Sequence, residues 1–516
     1  MNATVTHDRY SSVAGVADST AVAIALVVIG SAALRFYRLG VPSLTHDEAW
    51  WLAFAQHRWD AIAMFAASAE PYGALWFSIL HLWSGAGTDE TALRLLPAMM
   101  GVVAVVSVYA LGARMFNPRV GMLAAAMLAV HTTHLEMSQT LRAYSMLTLA
   151  SALSLLCFVR ALDRNRIRDW ILYVLATTFA VYAHVFALAL VPAQAVAVAT
   201  RRDSSIRSRF VLSAIAIVIK CAPLIALSLR SEVGQHDWIA GVSVSSALRV
   251  FDSLAGASGQ HGTVATLMRT IYFGGGLLAI VQFARRRLIA DRPSWIVAIS
   301  GYVAPIALGV AISLVRPMMV PEYFLVALPC LLIAVAALVE TVSPRALFYP
   351  IGAAILALGL RADFNYLSRP DPENWRLASY QVTRMVQEGD AIVFYPRSAR
   401  VPFDYARERI APRQRFPETI FPVWDDLYRV GGFSYTGDRG IDPAPETLLE
   451  STGDSHWRVW LIIRGTWHSS SEAHDIESIT AALTRRRAKI DERSFDGAIG
   501  VRVILFGGWQ EAHPTR

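Results

Sequence analysis

Cysteine is nearly absent from this chain, with three in 516 residues. Cys157, Cys221 and Cys330 each fall inside an apolar run, so neither a disulfide framework nor a thiolate metal site follows from them. Charge is scarce as well. Asp, Glu, Lys and Arg supply 17% of the residues against 54% hydrophobic ones, and mean hydropathy is +0.41, a balance that excludes an ordinary soluble domain. No glycine-rich phosphate loop, Walker motif, HExxH pair or internal repeat occurs, so the usual signatures of nucleotide use and zinc hydrolysis are missing. A basic stripe with interleaved aromatics is missing too. The net charge of +7 sits largely on arginines in short connections, which argues for orientation and contact with anionic lipid and against nucleic acid.

What the chain has instead is long apolar runs. About eleven of them approach the length needed to cross hydrocarbon, on the order of 20 residues. They cover 21–36, 95–114, 120–134, 144–162, 170–182, 187–199, 210–229, 264–283, 295–314, 323–338 and 346–360. The connections alternate in character. One set carries Arg114 and Arg119, then Arg160, Arg164, Arg166 and Arg168, then Arg201, Arg202, Arg207 and Arg209, then Arg285, Arg286, Arg287 and Arg292. The positive-inside rule assigns that set to the cytoplasm. The other set, 39–94, 138–142, 183–186, 230–261, 316–322 and everything after 361, is then external, on the periplasmic side of the inner membrane in a two-membrane bacterium. The first run reads as a retained span behind a cytoplasmic tail of residues 1–20, because no small-residue cleavage site follows it and Arg35 and Arg38 close it.

After residue 360 charge and proline return, and nothing further could cross a bilayer. Residues 361–516 are expected to form an external domain of ordinary size. Segment 373–387 has helical spacing, 390–395 and 458–464 read as strands, 471–486 is helical and 500–506 is a third strand. The expected fold class is therefore an α-helical polytopic membrane protein, residues 21–360, with a C-terminal extramembrane α/β domain. That domain carries no catalytic signature; its expected role is a scaffold that covers the membrane site or orders a loop.

The first external segment, 39–94, is long for a loop, and long loops in compact proteins tend to be functional. It carries Asp47 and Glu48 in the run Leu44-Thr45-His46-Asp47-Glu48-Ala49-Trp50-Trp51. Ionised carboxylates beside a bilayer are seldom kept without a partner, a ligand or a reaction. Two aromatic stretches follow, 49–59 and 72–83, with the character of amphipathic helices in the membrane interface. A carboxylate at the start of such a helix could meet a substrate with a polar head and a lipid tail. Asp is equally a preferred N-cap, so base and cap both stay open. His46 could tune Asp47, or join His134 or His184 in a scattered metal set; no cofactor follows, and a divalent metal stays open.

The arrangement resembles the membrane glycosyltransferases of the protein mannosyltransferase and lipid A aminoarabinose transferase type. The likeness is carried by Asp47-Glu48-Ala49 before an aromatic and by Gly87-Thr88-Asp89-Glu90-Thr91-Ala92-Leu93-Arg94-Leu95. It continues through Ser138-Gln139-Thr140-Leu141-Arg142-Ala143-Tyr144, Ala183-His184-Val185-Phe186, Asn374-Trp375-Arg376 and Glu388-Gly389-Asp390. The resemblance implies a type C glycosyltransferase fold, a catalytic first external loop and a donor sugar on a polyprenyl phosphate. It also implies a base at Asp47; Glu48 would then orient it or the sugar, or equally pair with a nearby arginine. The chemistry asks for cations on the departing phosphate: Arg142 beside Tyr144 suits that part or anchors the helix at lipid head groups, and His184 could touch phosphate or sugar or be structural.

Two places depart from the family pattern. The first loop has Glu70-Pro71-Tyr72-Gly73 where relatives carry a histidine or aspartate with paired prolines. Glu322 precedes Tyr323 where relatives often carry an arginine, with Arg316 as a substitute cation. The implied partners are a polyprenyl-phosphate sugar, a lipid, glycan or protein acceptor, and membrane lipid. Two readings from other classes remain at this point, a transporter or flippase of lipid-linked sugars and a noncatalytic envelope assembly protein.

Overall fold

The computed structural model describes residues 4–68, 71–230, 239, 241–285, 292–342, 344–421, 458–465, 470–495 and 497–509. Glu70, Arg286 and Arg287 lie outside them, as does most of the first part of the expected 230–261 connection. In chain order the helices begin with α1 (Thr4–Phe36), α2 (His46–Ala55), α3 (Trp59–Ser68), α4 (Ala74–Ser84), α5 (Glu90–Met115), α6 (Pro118–Ala129) and α7 (Thr132–Ser138). They continue with α8 (Tyr144–Arg164), α9 (Ile167–Ala183), α10 (Leu190–Ala199), α11 (Ser204–Arg230), α12 (Val244–Leu254), α13 (Gly262–Arg269), α14 (Gly275–Ala284), α15 (Arg292–Ser313), α16 (Leu328–Val342) and α17 (Arg345–Leu367). The rest alternates: α18 (Trp375–Met385), β1 (Ala391–Tyr395), α19 (Arg400–Ile410), β2 (Glu418–Phe421), β3 (Val459–Arg464), α20 (Ser470–Arg486), β4 (Arg487–Phe495) and β5 (Val501–Trp509).

Two compact units result. One holds Met1–Leu39, Arg94–Arg230 and Ile239–Ser368; the other holds Gly40–Leu93 together with the chain after Ser368. The segment between the first two apolar helices thus folds with the C-terminal part.

The first unit is a helix bundle, and the protein is an integral membrane protein. The apolar runs read from the sequence fall on helix, the run 120–134 with an interruption. Among the described residues seven helices are long and apolar enough to cross a membrane, and shorter apolar helices accompany them, Thr20–Phe36, Pro118–Ala129 and Val185–Ala199 in this unit. Helix α8, with 21 residues, is about 30 Å long, the thickness of the hydrocarbon core. The arginine-bearing connections gather at one end of it. Asn165 after α8 donates to Ser205 before α11 (3.0 Å), and Ser294 at the start of α15 donates to the Met115 carbonyl at the end of α5.

Where the sequence reads one span over 120–134, the chain breaks into α6 and α7. The break strands backbone carbonyls in an apolar surround, which must be satisfied internally. Arg35, expected at a span end, is instead fully buried and turns into the break. Its guanidinium donates to the carbonyls of Ala129 (3.0 Å) and Leu128 (3.1 Å) and to the Ser31 hydroxyl (2.7 Å), and lies 2.8 Å from His134 Nδ1. Thr132, first in α7, donates to the buried Asp363 carboxylate of α17 (2.7 Å).

Among the described residues, the C-terminal part of the second unit forms a five-stranded mixed sheet in the order β2-β1-β3-β5-β4. β1 runs parallel to β2 and β3, while β5 is antiparallel to β3 and β4. Alternate side chains face opposite layers. Ile392, Phe394, Trp460 and Ile462 meet Trp375, Val382 and Phe403 of α18 and α19 on one face. Val393, Leu461 and Ile463 meet Ile479 and Leu483 of α20 on the other.

Asp390 leads into β1 at 2% exposure and accepts Arg458 Nη2 (2.7 Å), Arg458 Nε (2.8 Å) and the Trp460 indole N–H (2.8 Å). Replacing Asp390 by Ala strands those donors and is expected to cost about 3–5 kcal/mol. Denaturant unfolding of the purified full-length protein, followed by tryptophan fluorescence, measures it; an unchanged midpoint would contradict this role.

Candidate active site

Helix α2 begins at a capping box, the arrangement in which N-cap and N3 side chains satisfy each other's backbone donors. The N-cap is Thr45, not Asp47. The Thr45 hydroxyl accepts the Glu48 N–H (3.4 Å), while Glu48 Oε2 accepts the Thr45 N–H (2.9 Å) and its hydroxyl (3.1 Å). Glu48 is buried at 1% exposure. Of the two readings the sequence leaves open, cap and reactive group, Glu48 thus takes the cap. Asp47 sits one residue earlier in the same turn with its side chain 55% exposed, and the His46 imidazole stands 3.2 Å from its Oδ1. The helix N-terminus favours a negative charge there.

Behind this turn the aromatic stretches pack on one another. Phe54 stacks on Phe65 with ring centroids 3.7 Å apart, Trp51 meets Phe77 at 4.7 Å, and Trp50 stacks on Phe54 at 5.7 Å. Ile62, Phe65 and Phe77 form a small buried core, and Trp76 is fully buried. Two helices laid flat in the interface, as the sequence suggested, would leave these rings facing lipid. Ring-on-ring packing gains directional contact beyond the buried area, and it leaves Trp59, Met64 and Leu82 as the exposed apolar side chains.

In the helix bundle Arg142, Tyr144 and His184 come together, as their spacing could not show. Arg142 lies in the turn before α8 and donates Nη2 to the Tyr144 hydroxyl at 3.2 Å. The Tyr144 and His184 rings are 6.2 Å apart, and Tyr323, which the sequence reading did not place in the site, completes the group 4.4 Å from His184. His184 follows the last residue of α9. Burial first and the Arg142 guanidinium second push its imidazole down to about 3, so it is neutral at physiological pH. Its Nδ1 accepts the Phe186 N–H (3.2 Å), which leaves Nε2 carrying the proton as a donor. Gly309 of α15 lets Phe186 and Phe324 pack close: a Cβ there would stand 2.5 Å from the Phe324 ring and 2.6 Å from that of Phe186. Arg316, after α15, reaches the Ser228 carbonyl at the end of α11 (3.5 Å). Among the described residues no group of three His, Cys, Asp or Glu side chains could hold a metal ion.

The model of the dolichyl-phosphate-mannose-protein mannosyltransferase family matches residues 70–226. A search of the curated proteins gives no match. Among solved structures, ArnT from Cupriavidus metallidurans bound to undecaprenyl phosphate is similar with a TM-score of 0.53 at 11% identity, over 93% of this chain and 97% of that one. The archaeal oligosaccharyltransferase AglB from Archaeoglobus fulgidus, in complex with an inhibitory peptide and a dolichol-phosphate, gives 0.53 at 12% identity, over 91% and 72%. The fold is that of the type C membrane glycosyltransferases. The family-matched stretch carries Arg142, Tyr144 and His184, and Asp47 lies upstream of it.

Replacing Thr45 by Ala removes the cap under Asp47 and is expected to cost about 1 kcal/mol. The change should appear as faster amide exchange in the first turn of α2; exchange at the wild-type rate would show that the box does not hold this turn.

Proposed function

We propose that this protein is an inverting glycosyltransferase that moves one sugar from a polyprenyl-phosphate donor to an acceptor hydroxyl on the external face of a bacterial plasma membrane. The observation that carries the reading is Asp47: an accessible carboxylate on a capped helix turn, beside His46, in a type C fold. Asp47 takes the proton from the acceptor hydroxyl as its oxygen bonds to the anomeric carbon. The bond from that carbon to the phosphate oxygen breaks on the opposite side, polyprenyl phosphate leaves as an anion, and Asp47 returns its proton to solvent. A single displacement of this kind needs no carboxylate nucleophile, and the capping role of Glu48 agrees with that.

The leaving phosphate needs cations and donors. Arg142 supplies a guanidinium able to grip two oxygens, neutral His184 supplies an Nε2–H, Tyr144 holds Arg142 in place, and Arg316 is the second cation. The lipid phosphates named with ArnT and AglB support a donor of this chemistry. External placement is supported by the arginine connections gathered at one end of α8 while Arg142 sits at its other end. The sugar, hexose or pentose, and the acceptor, lipid, glycan or protein, follow from mass analysis of envelope glycolipids and glycans with and without the protein.

The test uses the full-length protein in liposomes and a panel of undecaprenyl-phosphate sugars carrying mannose, glucose, galactose or arabinose. Asp47→Asn is expected to lower turnover by about 10²–10⁴-fold, the usual worth of a general base, with undecaprenyl phosphate binding unchanged. Full turnover in Asp47→Asn would remove the base assignment. Movement of the intact donor across the bilayer without bond breaking would favour a flippase.

A further inference from the structure

The backbone N–H of His46, first in α2, is one of the donors a helix start leaves without an intrahelical partner. Its acceptor comes from 327 residues away: Glu373 Oε2, at 2.9 Å. The same oxygen accepts the Trp375 indole N–H (2.7 Å), and Oε1 accepts Arg464 Nη2 (2.8 Å) and Nε (3.1 Å). The carboxylate is 1% exposed and Arg464 is the last residue of β3, so Glu373 is fixed by the central sheet. From there a short path runs through His46 to Asp47, since the His46 ring lies 3.2 Å from the Asp47 carboxylate.

Arg376, in the first turn of α18, holds the stem of the same loop. It donates to the carbonyls of Val41 (2.9 Å) and Gly40 (3.2 Å) and pairs with Glu90 at the loop's far end (2.7 Å). The Tyr405 hydroxyl of α19 also reaches that far end, donating to the Thr88 carbonyl (2.9 Å). The C-terminal domain therefore grips both ends of segment 40–93 and the first residue of the helix that bears Asp47.

We propose that the C-terminal domain is a positioning element of the transfer reaction, with Glu373 and Arg376 as the residues that set Asp47. This rests on Asp47 as the base. Most of these contacts end on backbone groups of the loop, and those from Glu373 and Arg376 are charge-assisted, contacts that fix geometry. A base must meet its proton within hydrogen-bond reach, and a misplacement of about 1 Å can lower the rate by about 10²-fold. Losing the tether should therefore lower kcat and leave donor affinity in place.

The experiment compares Glu373→Gln and Arg376→Ala in the full-length protein, using the panel sugar that turns over fastest. Rates are counted per molecule competent to bind undecaprenyl phosphate, a correction that removes any loss from unfolding. Each variant is expected to lower kcat by about 10-fold to 10²-fold with donor KM within about threefold, and to speed amide exchange over residues 43–48. Arg376→Ala leaves the Glu373–Arg464 pair intact, so it carries the test even if Glu373→Gln fails to fold. Unchanged kcat together with unchanged exchange over 43–48 overturns the proposal. The exchange measurement does not involve Asp47 chemistry. Faster exchange beside a fully active Asp47→Asn would mean that the tether exists and the base is elsewhere; slow exchange beside an inactive Asp47→Asn would mean the reverse.

Discussion

An ionised group buried away from water costs several kcal/mol unless an opposite charge or enough hydrogen bonds replace its hydration, and Glu373 meets that cost by using both oxygens twice. Two bonds go to Arg464 at the end of the central sheet, and two go to the Trp375 indole and the His46 backbone. Because the carboxylate cannot be left half satisfied, the end of the central strand β3, the start of α18 and the first turn of α2 are bound into one arrangement. The same rule operates in the helix bundle. There Arg35 is buried among carbonyls set free where α6 ends, and Asp363 accepts the Thr132 hydroxyl. In each unit one buried charge, Arg35 or Glu373, stands beside a place where regular structure starts or stops and bonds the backbone groups left there.

Asp47 differs from these groups in its exposure. Its neighbour Glu48 is consumed by the capping box, whereas the Asp47 carboxylate is more than half exposed and touches His46. A negative charge at a helix N-terminus is stable and can still take a proton from an incoming hydroxyl. In the bundle Arg142, Tyr144, His184 and Tyr323 form a cluster of their own, a guanidinium and neutral donors framed by rings.

Much of this was legible in the sequence because its signals are local. Apolar runs of spanning length mark helices, and the alternating arginines order the connections. The strands at Ala391–Tyr395 and Val459–Arg464 stand out as buried on both faces. Strand β4, Arg487–Phe495, was missed because its residues are mostly charged and exposed, the pattern of a protected edge that carries no hydrophobic alternation. The break between α6 and α7 was missed because it depends on Arg35, about a hundred positions away in the chain. Glu373 was invisible for the same reason: its partners His46 and Arg464 are distant, and the only local hint was the neighbouring Asn374-Trp375-Arg376. The capping box Thr45-His46-Asp47-Glu48 could have been read from spacing alone, and it would have separated Glu48 from Asp47 at once.

The central claim is that one carboxylate, Asp47, serves a single displacement at the anomeric carbon. The most direct measurement is the anomeric configuration of the glycoside that the full-length protein forms from an undecaprenyl-phosphate sugar of known configuration, read by nuclear magnetic resonance on the first product. A configuration opposite to that of the donor is the predicted result. A retained configuration would require a covalent glycosyl intermediate on a nucleophile and would contradict the account.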